Sequence, residues 1–451
     1  MSSDLTSATI PVLIRRLAIP AGTGFFFNTM FNVVDIWFGS RLSTNALAAM
    51  SLSFPVFFIL LAVGAGISTS ATALVGNAIG RGDDREARDF MIQALSFGLL
   101  HALVLALGAS FLLPTVFRFM GAQGEYMQLA LSYMNVIMFG APFFILNFVI
   151  SAILNSHGNT ITYRNFLIAG FFLNCLLDPW LMYGGAGIPA LGLAGIALAT
   201  VMIQFIGNLF LLHALTKSGI IVRFQLSELR PRWQSFRELF KQGFPAAMNM
   251  MSVALGIFII TWFAGRFGSH AVAAYGIATR IEQIVLLPVM GLNVSTLALV
   301  AQNFGAGRFD RIAQTVSLSL TYGCLLAAIG TALVLAFTIQ LLQIFTPDPS
   351  VLHFGLVCLK IEALIFPAYV ILYVCVSAMQ GIKRPAFALW IGLYRQIAAP
   401  MALFYLLTSV AGLGIISIWW GVFSITWSAA CFVAFYVTRS LIQLKKEQIP
   451  A

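Results

Sequence analysis

Two aspartates interrupt apolar runs in the first half of the chain, Asp35 in NTMFNVVDIWFG and Asp178 in FLNCLLDPW. Asn28, Asn32 and Asp35 follow one another at i, i+4 and i+7 and share one helical face, while Asn174 stands one turn before Asp178. Pro179 removes a backbone donor just after Asp178 and frees a carbonyl to line a cavity. Two carboxylates with amides in a low-dielectric setting suit two chemistries. One is the uptake and release of a proton. The other is ligation of Na+, since hard cations take carboxylate, amide and hydroxyl oxygens. The residues themselves do not choose between them.

The second half carries Arg280, Glu282, Lys360, Glu362 and Arg395 inside its apolar runs. Each such charge costs about 2.5 to 3.5 kcal/mol at a membrane-helix centre, which makes it a functional candidate. Arg280 and Glu282 project from different faces of one helix, as do Lys360 and Glu362, so their partners must come from other helices. Arg395 is available to either glutamate, and a paired network that stiffens this half is the expectation, with pocket or gating roles for Glu282, Glu362 and Arg395 kept open. No GxxxxGK[ST], HExxH, GxSxG or paired CxxC is present, and the five His and five Cys are scattered. Neither an enzyme nor a resident cofactor or metal is expected.

The elements that must position these groups are membrane helices. The 451 residues are 60% hydrophobic and 9% charged, and apolar runs of about 20 residues or more recur along the whole chain. They place helices at 12–38, 46–76, 91–115, 126–153, 160–183 and 190–216, then at 238–265, 271–301, 314–345, 352–381, 385–409 and 413–438. Of the 25 Lys and Arg, nineteen fall on one side of this layout and three on the other. The positive-inside rule then puts both termini in the cytoplasm, and the net charge of +10 reads as membrane topology and not as nucleic-acid binding. A gap-free shift of 225 residues superposes Pro20 on Pro245, Trp37 on Trp262, Arg41 on Arg266, Gly66 on Gly291, Ser70 on Ser295 and Gly82 on Gly307. The expected fold is therefore all-α, with six-helix lobes at 1–216 and 238–451 joined by a basic linker at 217–237. Halves repeated after an even number of spans have the same orientation and are related by an axis along the membrane normal.

NVVDIWFGSRLSTNALAAM, GNAIGRGD, LNCLLDPWLMYG and AQNFGAGRFD, set in two six-helix halves, resemble the multidrug and toxic compound extrusion (MATE) family over nearly the full length, and most of all its DinF-type branch. That resemblance implies a V-shaped pair of bundles that exports cationic or lipophilic drugs and dyes against H+ or Na+. It carries an ion site onto Asp35, Asn174 and Asp178, with Thr200, Tyr133 and Asn147 as further members. In the DinF branch, protonation of the first-helix aspartate is held to bend that helix, and Pro20 with Gly22 and Gly24 supplies the kink point here. The acidic residue that the NorM branch carries on its seventh helix is missing. The expectation is an H+-coupled multidrug antiporter, a monomer in the inner membrane; Na+ coupling, or flipping of a lipid or lipid-linked sugar, is the alternative.

Overall fold

The computed structural model describes residues 5–220 and 225–446, so residues 221–224 of the 217–237 connection, Arg223 among them, lie outside the described residues. Within these bounds the chain is helical, and no strand is formed. Ten helices are long and apolar enough to cross a membrane, and two bent pairs bring the number to as many as 12. The first half consists of α1 (Ile10–Leu42), α2 (Thr44–Arg81), α3 (Asp84–Phe119), the pair α4 (Gly124–Phe139) and α5 (Ala141–Ser156), α6 (Ile161–Tyr183) and α7 (Leu193–Lys217). A 3-10 turn at Leu226–Leu229 leads to α8 (Trp233–Gly265), α9 (Ser269–Gly305), α10 (Phe309–Ala336), the short α11 (Thr338–Gln343) and the pair α12 (Pro349–Ala363) and α13 (Phe366–Gly381). Residues 386–410 form one span in which α14 (Ala386–Leu393) and α15 (Ala399–Tyr405) continue through π-helical turns, and α16 (Ile416–Lys446) closes the chain.

Several helices overrun their apolar windows because caps, not hydropathy, end them. Ser43 accepts from Ala46 N at 2.9 Å to start α2, and Gly82, at φ +74°, turns the chain out of it. The repeat preserves this device, with Gly307 at φ +67° after α9. It also repeats the bends: α4 and α5 meet at 45° just before Pro142, and α12 and α13 at 46° just before Pro367, which is 225 residues on. A proline in the first turn of the second helix of each pair cannot donate to the preceding turn, which is where the axis breaks.

The chain divides into two compact units whose bounds differ from the sequence lobes. Unit 1 holds Thr23–Ala247, and unit 2 holds Leu5–Gly22 with Met248–Ala451. The first third of α1 thus belongs with α9 and α10, and the start of α8 with α2 and α3. Two glycines show why. A Cβ on Gly66 would lie 2.6 Å from Gly243 O and 2.8 Å from the Ala247 side chain, while one on Gly291 would lie 2.3 Å from Ala18 O and 2.8 Å from Gly22 N. These contacts correspond residue for residue under the 225-residue shift, so each repeat's first helix lies against a second helix stripped of side chain.

Polar side chains hold these leading segments in place. In unit 1 Gln93, fully buried in α3, donates Nε2 to Glu228 O at 2.9 Å and Arg230 O at 3.1 Å and accepts from Arg232 N at 2.9 Å. Arg88 pairs with Glu228 at 2.9 Å, Arg232 with Asp89, and Ser235 donates to Asp89 at 2.7 Å. The Gln225 N–H and the Arg88 guanidinium hold the Glu228 carboxyl below the ordinary glutamate range. In unit 2 Arg311 donates to Leu5 O at 3.2 Å, Ala8 O at 2.6 Å and Asn303 Oδ1 at 2.8 Å.

Candidate functional site

Asp35 sits in the C-terminal part of α1, past the Pro20 region, and is 6% exposed. Asn174 and Asp178, one turn apart on α6, are both fully buried, and Thr200 on α7 is 4% exposed. Asn174 donates Nδ2 to Asp35 Oδ1 at 2.8 Å, and Thr200 donates its hydroxyl to Asp35 Oδ2 at 3.4 Å while staying 3.1 Å from Ile196 O. The Asp178 carboxyl is close enough to Asp35 and Asn174 to interact with them, and neither of its oxygens has a hydrogen-bond partner among the described residues. Tyr133 on α4 is close enough to feel both charges and packs on the unit 1 core. The structure thus brings together Asp35, Asn174, Asp178, Thr200 and Tyr133 from four helices. Among the described residues, no Lys or Arg pairs with either aspartate within 4.0 Å.

Other candidates fall elsewhere. Asn28 and Asn32 are exposed, and Asn32 Nδ2 returns to Asn28 O at 2.7 Å, so the stripe expected with Asp35 does not close into one pocket. Asp35 is the member of that stripe that reaches α6 and α7, while a local amide-to-carbonyl bond satisfies Asn32 on its own helix. Asn147, 1% exposed, joins a different group: its Nδ2 donates to Gln204 Oε1 at 2.6 Å and Gln204 O at 2.9 Å. Asn208 donates to the same Gln204 O at 2.8 Å and to Phe143 O at 2.8 Å. Gln204 and Asn208 were not singled out from sequence, although the spacing Thr200, Gln204, Asn208 along one face of α7 marks them. Pro20 is buried within α1, two residues before Gly22, where that helix passes from one compact unit to the other.

In unit 2 the charges are not paired as expected. Arg280 and Lys360 are exposed, Glu282 lies close to Tyr369, and Arg395 stacks over the Tyr369 ring at 5.2 Å without a salt bridge to either glutamate. Arg395 acts on Glu282 through its charge from beyond 4 Å while its guanidinium lies against the flat Tyr369 face. Glu362, 4% exposed, accepts from the Cys358 Sγ at 3.7 Å through Oε1, and its Oε2 has no hydrogen-bond partner among the described residues. The repeat explains this placement: Glu282 and Tyr369 correspond to Phe57 and Phe144, whose rings meet edge to face at 5.6 Å in unit 1. Conversely, Asp35, Asn174 and Asp178 correspond to Ile260, Ala399 and Leu403. Each unit is polar where the other is apolar. No group of three or more His, Cys, Asp and Glu able to hold a metal occurs among the described residues.

The pattern of the MatE family matches residues 20–180 and again residues 245–406. The chain belongs to that family. The two matches begin 225 residues apart, the period of the internal repeat. Among curated relatives of this MATE protein, a FAD transporter of Shewanella oneidensis is 29% identical over 87% of both chains. A probable multidrug resistance protein, YoeA of Bacillus subtilis, is 27% identical over 91% of this chain and 89% of its own. Two solved structures share the fold at 23% identity over 98% of each chain: a MOP superfamily transporter from Pyrococcus furiosus Vc1, described as having a binding pocket of reverse polarity, at TM-score 0.91, and a MATE in a bent conformation at 0.92. The chain is a multi-pass membrane transporter of the multidrug MATE type.

Proposed function

We propose that this transporter exports cationic or lipophilic small molecules in exchange for protons, with the Asp35–Asp178 pair as the coupling site. The observation that supports this reading is the facing of two buried carboxyls that have only neutral donors around them and no cationic partner. A shared proton relieves their mutual repulsion, and its release leaves a doubly acidic pocket that favours a cation. Proton and cation therefore compete, which is the requirement for antiport. A proton moving down its gradient supplies about 1.4 kcal/mol per pH unit and about 2.3 kcal/mol per 100 mV. Asp35 lies beyond the Pro20–Gly24 region of α1, so a change at its carboxyl acts on a helix already weakened at one place. The end rich in Lys and Arg is taken as cytoplasmic.

Na+ coupling is the second reading, because the same site offers carboxylate, amide and hydroxyl oxygens. An anionic cargo such as the flavin dinucleotide of the Shewanella relative, or a lipid pyrophosphate, would meet carboxylates in unit 1, which speaks against both. The test is ethidium efflux from proteoliposomes driven by a pH step or by a sodium step. Wild-type protein responds to the pH step, Asp35→Asn and Asp178→Asn do not, and excess FAD fails to compete. Efflux that persists in Asp35→Asn, or that follows sodium alone, defeats the proton reading.

A further inference from the structure

The buried oxygens of unit 1 continue past the coupling pair. Asn147 and Asn208 both direct Nδ2 at Gln204 O, with Asn147 also at Gln204 Oε1 and Asn208 at Phe143 O. Their amide orientations are fixed by this, since a flipped amide would set oxygen against carbonyl oxygen. Asn147 Oδ1 and Asn208 Oδ1 therefore point away from the oxygens that their own Nδ2 groups bind, buried and without a hydrogen bond, as are Asn174 Oδ1, both oxygens of Asp178 and, off this line in α8, Gln242 Oε1. All of these are acceptors, and no unit 1 side-chain donor is in the same state among the described residues. A buried acceptor left unmatched costs about 1 to 3 kcal/mol. A set of acceptors without donors stabilises something that donates or is positive, and repels anions.

Spacing gives the set a direction. Thr200, Gln204 and Asn208 stand at i, i+4 and i+8 on α7, and Thr200 touches Asp35. On α5, Asn147, Ser151 and Asn155 repeat that spacing, with Asn155 donating to Ser151 at 3.4 Å. The eight residues from Asn147 to Asn155 span about 12 Å of helix, ending one residue before α5 stops at Ser156. We propose that Asn147, Gln204 and Asn208 form a second station for the coupling proton, carried as water-bound H+, on a route from the Asp35–Asp178 pair to the Ser156 end of α5. The assignment rests on proton exchange at that pair. The amides do not bind drug and do not set how many protons move; they set how fast a proton leaves or reaches the carboxyls.

The experiment follows proton release from purified full-length protein in detergent on stopped-flow mixing with ethidium, using a pH-indicator dye. Leucine is close in size to Asn and Gln, so Asn147→Leu, Gln204→Leu and Asn208→Leu remove the oxygens while filling the space. Each is expected to keep ethidium affinity and the number of protons released, and to slow release by about tenfold or more. Where a leucine variant fails to fold, Gln204→Met keeps the chain length and is measured instead. Folded variants that release protons at the wild-type rate overturn this station while leaving the Asp35–Asp178 reading intact. Absence of release from wild-type protein overturns both. Repeating the mixing in sodium and in choline salt is expected to give the same rate, and release seen only with sodium overturns the proton assignment.

Discussion

Replacing Gln93 by leucine removes the buried amide that fixes the segment leading into α8. Three hydrogen bonds are lost, to Glu228 O, Arg230 O and from Arg232 N. At about 1 kcal/mol net per bond, the loss is about 3 kcal/mol. Unfolding entropy of about 2.1 cal/mol/K per residue over 451 residues converts this to a Tm lower by about 3 °C. The comparison is Arg88→Ala, which breaks an ion pair whose side chains are 34% and 28% exposed. Water screens such a pair, so its loss lowers Tm by less than loss of the buried amide. Thermal unfolding of both variants in detergent, followed by tryptophan fluorescence, gives the two numbers under one condition. If Gln93→Leu melts no lower than Arg88→Ala, the buried amide is not what secures this segment, and the account of how unit 1 acquires residues beyond the first repeat is wrong.

Acid titration of stability should depend on Glu228. Its carboxyl is held below the ordinary range, so its contribution is complete above the unfolded value of about 4.3 and is lost as pH falls through the lower folded value. Glu228→Gln should flatten the fall in Tm over that window, and an unchanged pH profile refutes the assignment. His157, just after α5, is held below the usual histidine range chiefly by burial, with its hydrogen bond to Ile153 O and then the Asp84 charge acting the other way. Stability should drop as pH falls from about 6.5 toward the lower folded value; His157→Gln should remove that step and leave the rest of the curve. Gly291→Ala and Gly66→Ala should both destabilise, because each Cβ meets backbone at 2.3 and 2.6 Å, whereas Gly108→Ala, with nothing within 4 Å, should not. Equal melting of all three would show that the close approach is unimportant.

The spans, the repeat and the group of Asp35, Asn174 and Asp178 were legible because a membrane leaves so few ways to read a long apolar run, and a carboxylate within one stands out, whereas Thr200 and Tyr133 entered only through the family resemblance. Helix ends were less legible: α2 runs to Arg81 because of Gly82, beyond where hydropathy stops. Neutral polar residues were hardest. Gln93, Gln204 and Asn208 change the local hydropathy little, yet each is decided by a specific carbonyl on another element that only the folded chain supplies. Arg395 illustrates a related difficulty, since charge alone pointed to a glutamate while the geometry provides an aromatic face.

The exchange of leading segments bears on how such a molecule can be divided. A cut between residues 216 and 238 would separate two polypeptides, but neither would be self-sufficient. The first would carry Leu5–Gly22, whose neighbours are α9 and α10, and would lack the start of α8 that covers Gly66. Each fragment would display an uncovered strip of glycine-lined helix and a loose arm that fits the same strip on the other. Two copies of a single repeat, expressed as separate chains, would thus find their most complementary surface in one another by swapping arms. A tandem fusion turns that exchange between subunits into a fixed property of one chain, after which the two copies are free to differ, one keeping carboxylates where the other keeps phenylalanine, isoleucine and leucine.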